Sequence, residues 1–125
     1  MENKIGSYLT KINKKLQFRI DTTRFLFDKP KYDYHPLPWV GINEADIRGA
    51  ATYERWEAIQ SYLKNSKSLK DIGCCVGFFC HKAAEDFNMN TIGIDNNEQF
   101  LRIGQYTKEF VKNGENESFY NMTMD

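Results

Sequence analysis

The feature that most constrains the fold is an alternation of short apolar segments and helical patterns in the second half of the chain. Three segments are typical of strands: "SLKDIG" (68–73), "NTIGID" (90–95) and "SFYNMTM" (118–124). Between them, "FFCHKAAEDF" (78–87) and "NEQFLRIGQYTKEFVKN" (97–113) are helical, and Gly114 is the expected stop of the second helix. This β-α-β-α-β order predicts the α/β class, with a parallel sheet and right-handed crossovers.

The first part of the chain has a different pattern. Apolar residues recur at helical spacing from Ile5 to Leu16 and predict an amphipathic helix over 3–17. The next stretch, "QFRIDTTRFLF" (17–27), alternates loosely, so it predicts a short hairpin or extended pieces.

A loop and a second helix follow. "DKPKYDYHPLPWVG" (28–41) contains three prolines, which remove backbone donors and predict a loop. Helical spacing of apolar residues then predicts a helix over about 51–64. We therefore divide the chain into a helix-and-loop extension, 1–49, and an α/β domain, 50–125.

A glycine turn lies between the first strand and the first helix of the α/β domain. In an open α/β sheet, ligands bind at the carboxyl ends of the strands, where this turn is placed. Gly73 allows a sharp turn, while Gly77 lets the helix start pack closely and lets a ligand approach the backbone. Asp95 ends the second strand, 18 residues after Gly77. A carboxylate there can accept hydrogen bonds from both hydroxyls of a ribose.

Two common nucleotide motifs do not fit this turn. The dinucleotide fingerprint G-x-G-x-x-G requires glycines at positions 73, 75 and 78, and the chain has Cys75 and Phe78 at the last two. The residue after Gly77 is also not the lysine of a P-loop. The sequence therefore favours neither a dinucleotide nor a nucleoside triphosphate.

The stretch "DIGCCVGFF" (71–79), together with "GID" (93–95), resembles the class I S-adenosylmethionine-dependent methyltransferases. The resemblance covers about residues 50–125. It implies a doubly wound, Rossmann-like sheet whose first half is this same β-α-β-α-β, so we expect a partial Rossmann-like domain. It also implies S-adenosylmethionine as the cofactor and methyl transfer as the activity. The resemblance does not identify the acceptor, for which we favour a small molecule or glycan.

The resemblance assigns the glycine turn to the methionine end of the cofactor. Asp71 opens the motif and is expected to help fix that end, and Gly73 and Gly77 are expected to line it. Cys75 belongs to the same turn but departs from the family pattern, because many relatives have glycine there. The alternative is that the glycines are turn residues only.

The resemblance assigns the second and third strand ends to the rest of the cofactor. Asp95 is expected to hold the ribose, and Asn96 is expected to flank the adenine. Asp125, the last residue given, is expected near the adenine amino group. The alternative for Asp95 is that it caps the helix that follows.

Three cysteines and a histidine occur close together, as Cys74, Cys75, Cys80 and His81. Structural zinc sites favour paired C-x-x-C spacings, which this cluster lacks. Its C-x4-C-H pattern is longer than the C-x-x-C-H of haem attachment. We therefore expect no metal: Cys74 and Cys80 are interpreted as small buried apolar residues and His81 as an ordinary helix residue.

No motif identifies the catalytic residues. Four candidates lie in the proline-rich loop, which could close over the cofactor: Tyr32, Tyr34, His35 and Trp39. The alternative is that this loop is packed surface. The family's sheet continues through a fourth strand, whereas this chain stops at the third. We therefore expect a fragment of a larger methyltransferase that is inactive alone and self-associates through the exposed edge of strand one.

Charge is unevenly distributed along the chain. Residues 1–31 contain 8 Lys or Arg against 3 Asp or Glu, and residues 85–125 contain 3 against 8. A basic arm can contact phosphates, so an RNA-directed methyltransferase is one alternative, although nucleic acid is not favoured. Another alternative is a non-catalytic protein-binding module. No apolar run reaches the ~20 residues of a membrane span, and no signal peptide is recognisable, so we expect a cytoplasmic protein without a membrane partner.

Overall fold

The computed structural model describes residues 4–27, 35–43 and 51–122, and the chain forms two compact units, 1–32 and 33–125. The first unit contains helix α1, Lys4–Phe27. The second contains α2 (Thr52–Leu63), β1 (Ser68–Ile72), α3 (Phe78–Phe87), β2 (Asn90–Asp95), α4 (Glu98–Thr107) and β3 (Glu117–Asn121). None of the helices in the described ranges combines the length and apolarity that crossing a bilayer requires.

Helix α1 is longer than the sequence predicted. It continues to Phe27, so the hairpin or extended pieces expected over 17–27 were wrong. Aromatic and β-branched residues suggested strand there, but the segment contains neither glycine nor proline to stop the helix. Along the first half of α1, the apolar side chains of Ile5, Leu9 and Leu16 are more than half exposed.

The second unit is built on a three-stranded parallel sheet with the order β1-β2-β3. The register pairs Asp71 with Gly93 and Asp95 with Asn121. The predicted α/β class and its β-α-β-α-β order are therefore confirmed, as is the partial Rossmann-like arrangement that follows an N-terminal helix. Helix α3 and strand β2 have the predicted bounds, since their sequence patterns are bounded by glycine and asparagine turn residues.

Helix α4 is shorter than predicted. It ends at Thr107, and a short 3-10 turn, Lys108–Phe110, follows it. Gly114 is not the helix stop; it begins another 3-10 turn that leads into β3. A Cβ on Gly114 would overlap the carbonyl of Lys108, so this glycine is required by a close approach of the backbone to itself.

Both crossover helices pack on the same face of the sheet. The ring of Phe119, on β3, lies against Gly77 at the start of α3 and against Gly104 on α4. It also fills the space beside Gly93 on β2, where an added Cβ would lie 2.7 Å from the ring. One aromatic side chain therefore joins both helices to the sheet because three glycines leave room for it.

The opposite face of the sheet is more exposed. Three apolar side chains on this face alternate along the strands with the inward-facing residues, and each is at least half exposed: Ile72 on β1, Tyr120 on β3 and Met122 just after β3. Parallel sheets are normally covered on both faces, so this face is an unusual apolar surface for such a sheet.

The segment from His35 to Ile42 belongs to the second unit. It forms a short turn, closed by a bridge between Leu37 and Ile42, and it packs against α3. The predicted boundary was at 49/50, whereas the compact units divide at 32/33. The aromatic residues of this segment, together with Trp56 and Tyr53 of α2, extend the core around Phe78.

Candidate functional site

The glycine turn between β1 and α3 is tied to the end of β2 by backbone hydrogen bonds. The amides of Gly73 and Cys74 both donate to the carbonyl of Ile94, at 2.7 and 2.9 Å. The Gly77 amide donates to the Cys74 carbonyl at 2.9 Å. Phosphate loops present free backbone amides to their ligand, whereas these amides already have partners within the protein. The turn is thus poorly suited to binding a phosphate group.

Cys75 has an uncommon backbone conformation. Its φ is +55°, in the left-handed region that non-glycine residues rarely adopt. In this conformation its amide donates to Oδ2 of Asp95 at 2.9 Å, which links the turn to the end of β2. Cys75 therefore retains the backbone geometry of a glycine position, at a cost in strain, and that geometry orients the Asp95 carboxylate.

The two glycines of the turn have different surroundings. Apart from its two chain neighbours, no atom of the described residues lies within 4 Å of the position that a Cβ on Gly73 would occupy, so open space adjoins the turn there. At Gly77 the same position is filled by the Phe119 ring and by Nε2 of His81, at 2.7 and 3.1 Å. Gly77 therefore provides the close packing that the sequence indicated, and the open side of the turn is at Gly73.

Asp71 has one buried carboxylate oxygen, Oδ2, that lacks a hydrogen-bond partner among the described residues. Burial, followed by the nearby charge of Asp95, raises the pKa of Asp71 to about 6. Asp71 is the second-last residue of β1, two positions before Gly73 at the start of the glycine turn. A cation or a hydrogen-bond donor beside it would be stabilised, and an anion would be repelled.

Asp95 accepts two backbone hydrogen bonds. One comes from Cys75 and the other from the Asn97 amide, which donates to Oδ1 at 2.8 Å. The helix cap predicted as an alternative role is taken by Asn97, whose side chain accepts from the Phe100 amide at 3.1 Å. The Asp95 carboxylate is therefore held in a fixed orientation at the carboxyl end of β2.

The structure brings most of the predicted cofactor-binding residues to one end of the sheet. Asp71, the turn and Asp95 lie at adjacent strand ends, and the exposed Asn96 follows directly after β2. Asp125 lies outside the described residues. The assigned contacts of these residues with a cofactor remain predictions.

The proline-rich loop supplies two described candidates, and Tyr32 and Tyr34 lie outside the described residues. His35 is buried against the rings of Phe78 and Phe79. Burial, and then the charges of Arg55 and His81, lower the pKa of His35 to about 4, so its imidazole is neutral at neutral pH. Trp39 donates from Nε1 to Oε1 of Glu85 at 3.1 Å. Both residues pack against α3.

The cysteines are buried thiols, as the sequence indicated for Cys74 and Cys80. All three are free, and burial raises the pKa of Cys74 to about 12. Burial also raises the pKa of Cys80. Among the residues that the structure describes, no group of three or more His, Cys, Asp or Glu side chains is arranged to hold a metal ion.

One buried polar pair was missed by the sequence analysis. Nδ1 of His81, on α3, lies 2.5 Å from Oε1 of Glu117, the first residue of β3, and both side chains have no exposed surface. The two residues are 36 positions apart, so no local pattern signals the contact. A glutamate at an inward-facing position of a strand was the only available signal.

The chain has few similarities to known proteins. No protein-family model matches it, and no curated protein matches it. A solved structure described as the crystal structure of MccD protein aligns with 70% of this chain, with a TM-score of 0.48 and 18% sequence identity. The chain spans about a third of that protein, since the aligned part is 34% of its length. At this level of similarity, the likeness carries no argument about function.

Proposed function

We propose that this chain is the cofactor-binding part of an S-adenosylmethionine-dependent methyltransferase, with a small molecule or glycan as the expected acceptor. In this proposal the methionine end of the cofactor lies against Asp71 and Gly73, the ribose against Asp95 and the adenine beside Asn96. The observation that carries it is the buried, unpartnered carboxylate oxygen of Asp71 next to a second carboxylate and to the open space at Gly73.

The charges of the site favour this cofactor over other nucleotides. S-adenosylmethionine carries a positive ammonium and a positive sulfonium against one carboxylate, so its net charge is positive and two neighbouring carboxylates attract it. A dinucleotide or nucleoside triphosphate instead brings phosphates. These would meet the charges of Asp71 and Asp95 beside a turn whose amides at Gly73, Cys74 and Gly77 already have partners.

The Asp95 carboxylate retains capacity to accept hydrogen bonds. An ionised carboxylate has about four acceptor positions, and two at Asp95 are used by the Cys75 and Asn97 amides. The remaining positions can accept from two ribose hydroxyls. Because the two amides fix the carboxylate beforehand, little orientational freedom is lost when a ribose binds.

Methyl transfer requires mainly that the cofactor and the acceptor are held in line. The cofactor supplies an electrophilic methyl group. The chain's own residues bind and orient: Asp71 holds the cationic end, and Asp95 the ribose. For an oxygen acceptor a base is also useful. Among the loop candidates in the described residues, His35 has a neutral imidazole, but its lowered pKa makes it a weak base.

The test is an isothermal titration of residues 1–125 with S-adenosylhomocysteine, S-adenosylmethionine and NAD. We expect the first two compounds to bind and NAD to give no heat. Binding of NAD without any response to S-adenosylhomocysteine would overturn the proposal.

A second candidate is favoured by the exposed apolar face around Ile72 and Tyr120. A chain with such a surface can act as a protein-binding module through the open side of its sheet. A folded chain that ignores all three small molecules but binds a partner through this face would support the second candidate.

A further inference from the structure

The buried pair His81–Glu117 is joined to the glycine turn through a backbone carbonyl. Nε2 of His81 lies 3.0 Å from the carbonyl oxygen of Val76, the fourth residue of the turn. On the opposite side of the ring, Nδ1 lies 2.5 Å from Oε1 of Glu117. Apart from this contact, neither Nδ1 nor Oε1 has a hydrogen-bond partner among the described residues.

These contacts determine how many protons the pair holds. A carbonyl oxygen only accepts hydrogen bonds, so Nε2 of His81 carries a hydrogen. Nδ1 and Oε1 then require one further proton between them, because two lone pairs facing each other at this distance would repel. The proton can be on the nitrogen or on the oxygen. In both cases the pair as a whole is neutral, which is the state that complete burial favours.

The Val76 carbonyl lies close to both crossover helices. His81 donates to it from α3, and α4 limits the space around it, since a Cβ on Gly104 would lie only 3.1 Å from the Val76 oxygen. The next residue is Gly77, and an added Cβ there would lie 3.1 Å from Nε2 of His81. A small rotation of the imidazole would therefore move Val76 and Gly77 at the end of the turn. Cys75, whose amide donates to Asp95, directly precedes Val76, so it would be displaced as well.

We propose that His81 and Glu117 share one proton and act as positioning residues for the glycine turn through the Val76 carbonyl. Glu117 keeps the hydrogen of His81 on Nε2, and Nε2 in turn fixes the carbonyl. What the turn then binds rests on the proposed function, but the positioning itself does not.

The test uses two substitutions at Glu117. In Glu117→Gln, the amide N–H can donate to Nδ1 and keep the hydrogen on Nε2. In Glu117→Leu, a side chain of similar size provides no donor or acceptor, so Nδ1 of His81 is left buried without its partner and only the Val76 carbonyl holds the ring. Ala83→Gly, at a buried position of the same helix, serves as a control that weakens folding without contacting the turn.

Nuclear magnetic resonance reports the positioning directly. In the wild-type chain we expect a far-downfield proton resonance that correlates with Nδ1 of His81, lost in both Glu117 variants. The amide signals of Cys75, Val76 and Gly77 should keep their positions in Glu117→Gln and Ala83→Gly and shift in Glu117→Leu. Unchanged turn signals in Glu117→Leu, equal shifts in both Glu117 variants, or the absence of the downfield proton from the wild type would overturn the inference.

Cofactor titration separates this inference from the proposed function. We expect Glu117→Gln to bind S-adenosylhomocysteine within about twofold of wild type, and Glu117→Leu at least fivefold more weakly. If the wild-type chain does not bind it but the turn signals respond as stated, the proposed function fails and the positioning stands. If the wild type binds it and Glu117→Leu binds equally well, the positioning role fails and the proposed function stands.

Discussion

Replacing Asp71 by asparagine should make the folded protein more stable at neutral pH. The buried Oδ2 atom of Asp71 has no hydrogen-bond partner in the part of the chain that the structure describes, and the pKa of the carboxyl group is raised from 3.8 to about 6. A proton therefore binds the folded chain more tightly than the unfolded chain. The stability that this proton contributes is fully present below pH 3.8 and is lost as the pH rises to about 6.

The magnitude follows from the difference between the two pKa values. About two pH units, at 1.36 kcal/mol each, give a loss on the order of 3 kcal/mol in the free energy of unfolding above pH 6. The asparagine amide also lacks a partner, which costs about 1 kcal/mol. We therefore expect Asp71→Asn to exceed wild type by roughly 2 kcal/mol at pH 7 and to lose this advantage near pH 4.

Urea denaturation followed by the fluorescence of Trp39 and Trp56 measures the free energy of unfolding of wild type and of Asp71→Asn between pH 4 and pH 8. Asp86→Asn is the control, because it removes an exposed carboxylate that pairs with Lys82. It should change the free energy of unfolding by less than about 0.5 kcal/mol at pH 7. An Asp71→Asn variant no more stable than wild type, at every pH tested, would refute the reasoning that Asp71 is kept charged for a ligand.

Four further outcomes are expected. Asp95→Ala should weaken S-adenosylhomocysteine binding by about 2–3 kcal/mol in calorimetry. It should also lower the free energy of unfolding, since two backbone amides lose their acceptor. Unchanged affinity would show that Asp95 has a structural role only. Cys75→Gly should be more stable than Cys75→Ala by about 1 kcal/mol in urea titrations, because glycine adopts the positive φ at this position without strain. Equal stability of the two variants would show that the backbone at position 75 is not strained. S-adenosylmethionine should bind about tenfold more weakly at pH 5 than at pH 7, because Asp71 is mostly protonated at pH 5. An affinity that does not change with pH would show that Asp71 does not contact the cofactor. Residues 1–125 should transfer no methyl groups and should self-associate in sedimentation experiments. The Ile72→Lys variant should self-associate less than wild type, because the substitution places a charge on an exposed apolar side chain. A monomer with ordinary turnover would contradict both expectations.

The sequence predicted the features that depend on local patterns. Apolar periodicity and turn residues indicated the strands and helices of the second unit, and the glycine spacing indicated where the turn would be. The extension of α1 to Phe27 was missed because aromatic and β-branched residues bias a local interpretation towards strand. The early end of α4 was missed because the chain folds back on itself between Thr107 and Gly114.

The features that depend on distant contacts could not be predicted. The sequence alone does not indicate that Phe119 fills the space left by three glycines, or that Glu117 meets His81. It indicated Asp71 and Asp95 as acidic residues at strand ends. The missing partner of Asp71 and the two amides that hold Asp95 follow only from the positions of the neighbouring backbone. These two environments are what give the candidate site its electrostatic character.

The most direct test of the proposed cofactor site is a crystal structure of the chain grown with S-adenosylhomocysteine. We predict its ribose hydroxyls about 2.5–3.0 Å from the Asp95 carboxylate, its ammonium beside Asp71, and its homocysteine portion in the open space at Gly73. Electron density for the ligand at a different place, or none at saturating concentration in a crystal whose turn and strand ends are accessible, would contradict the account.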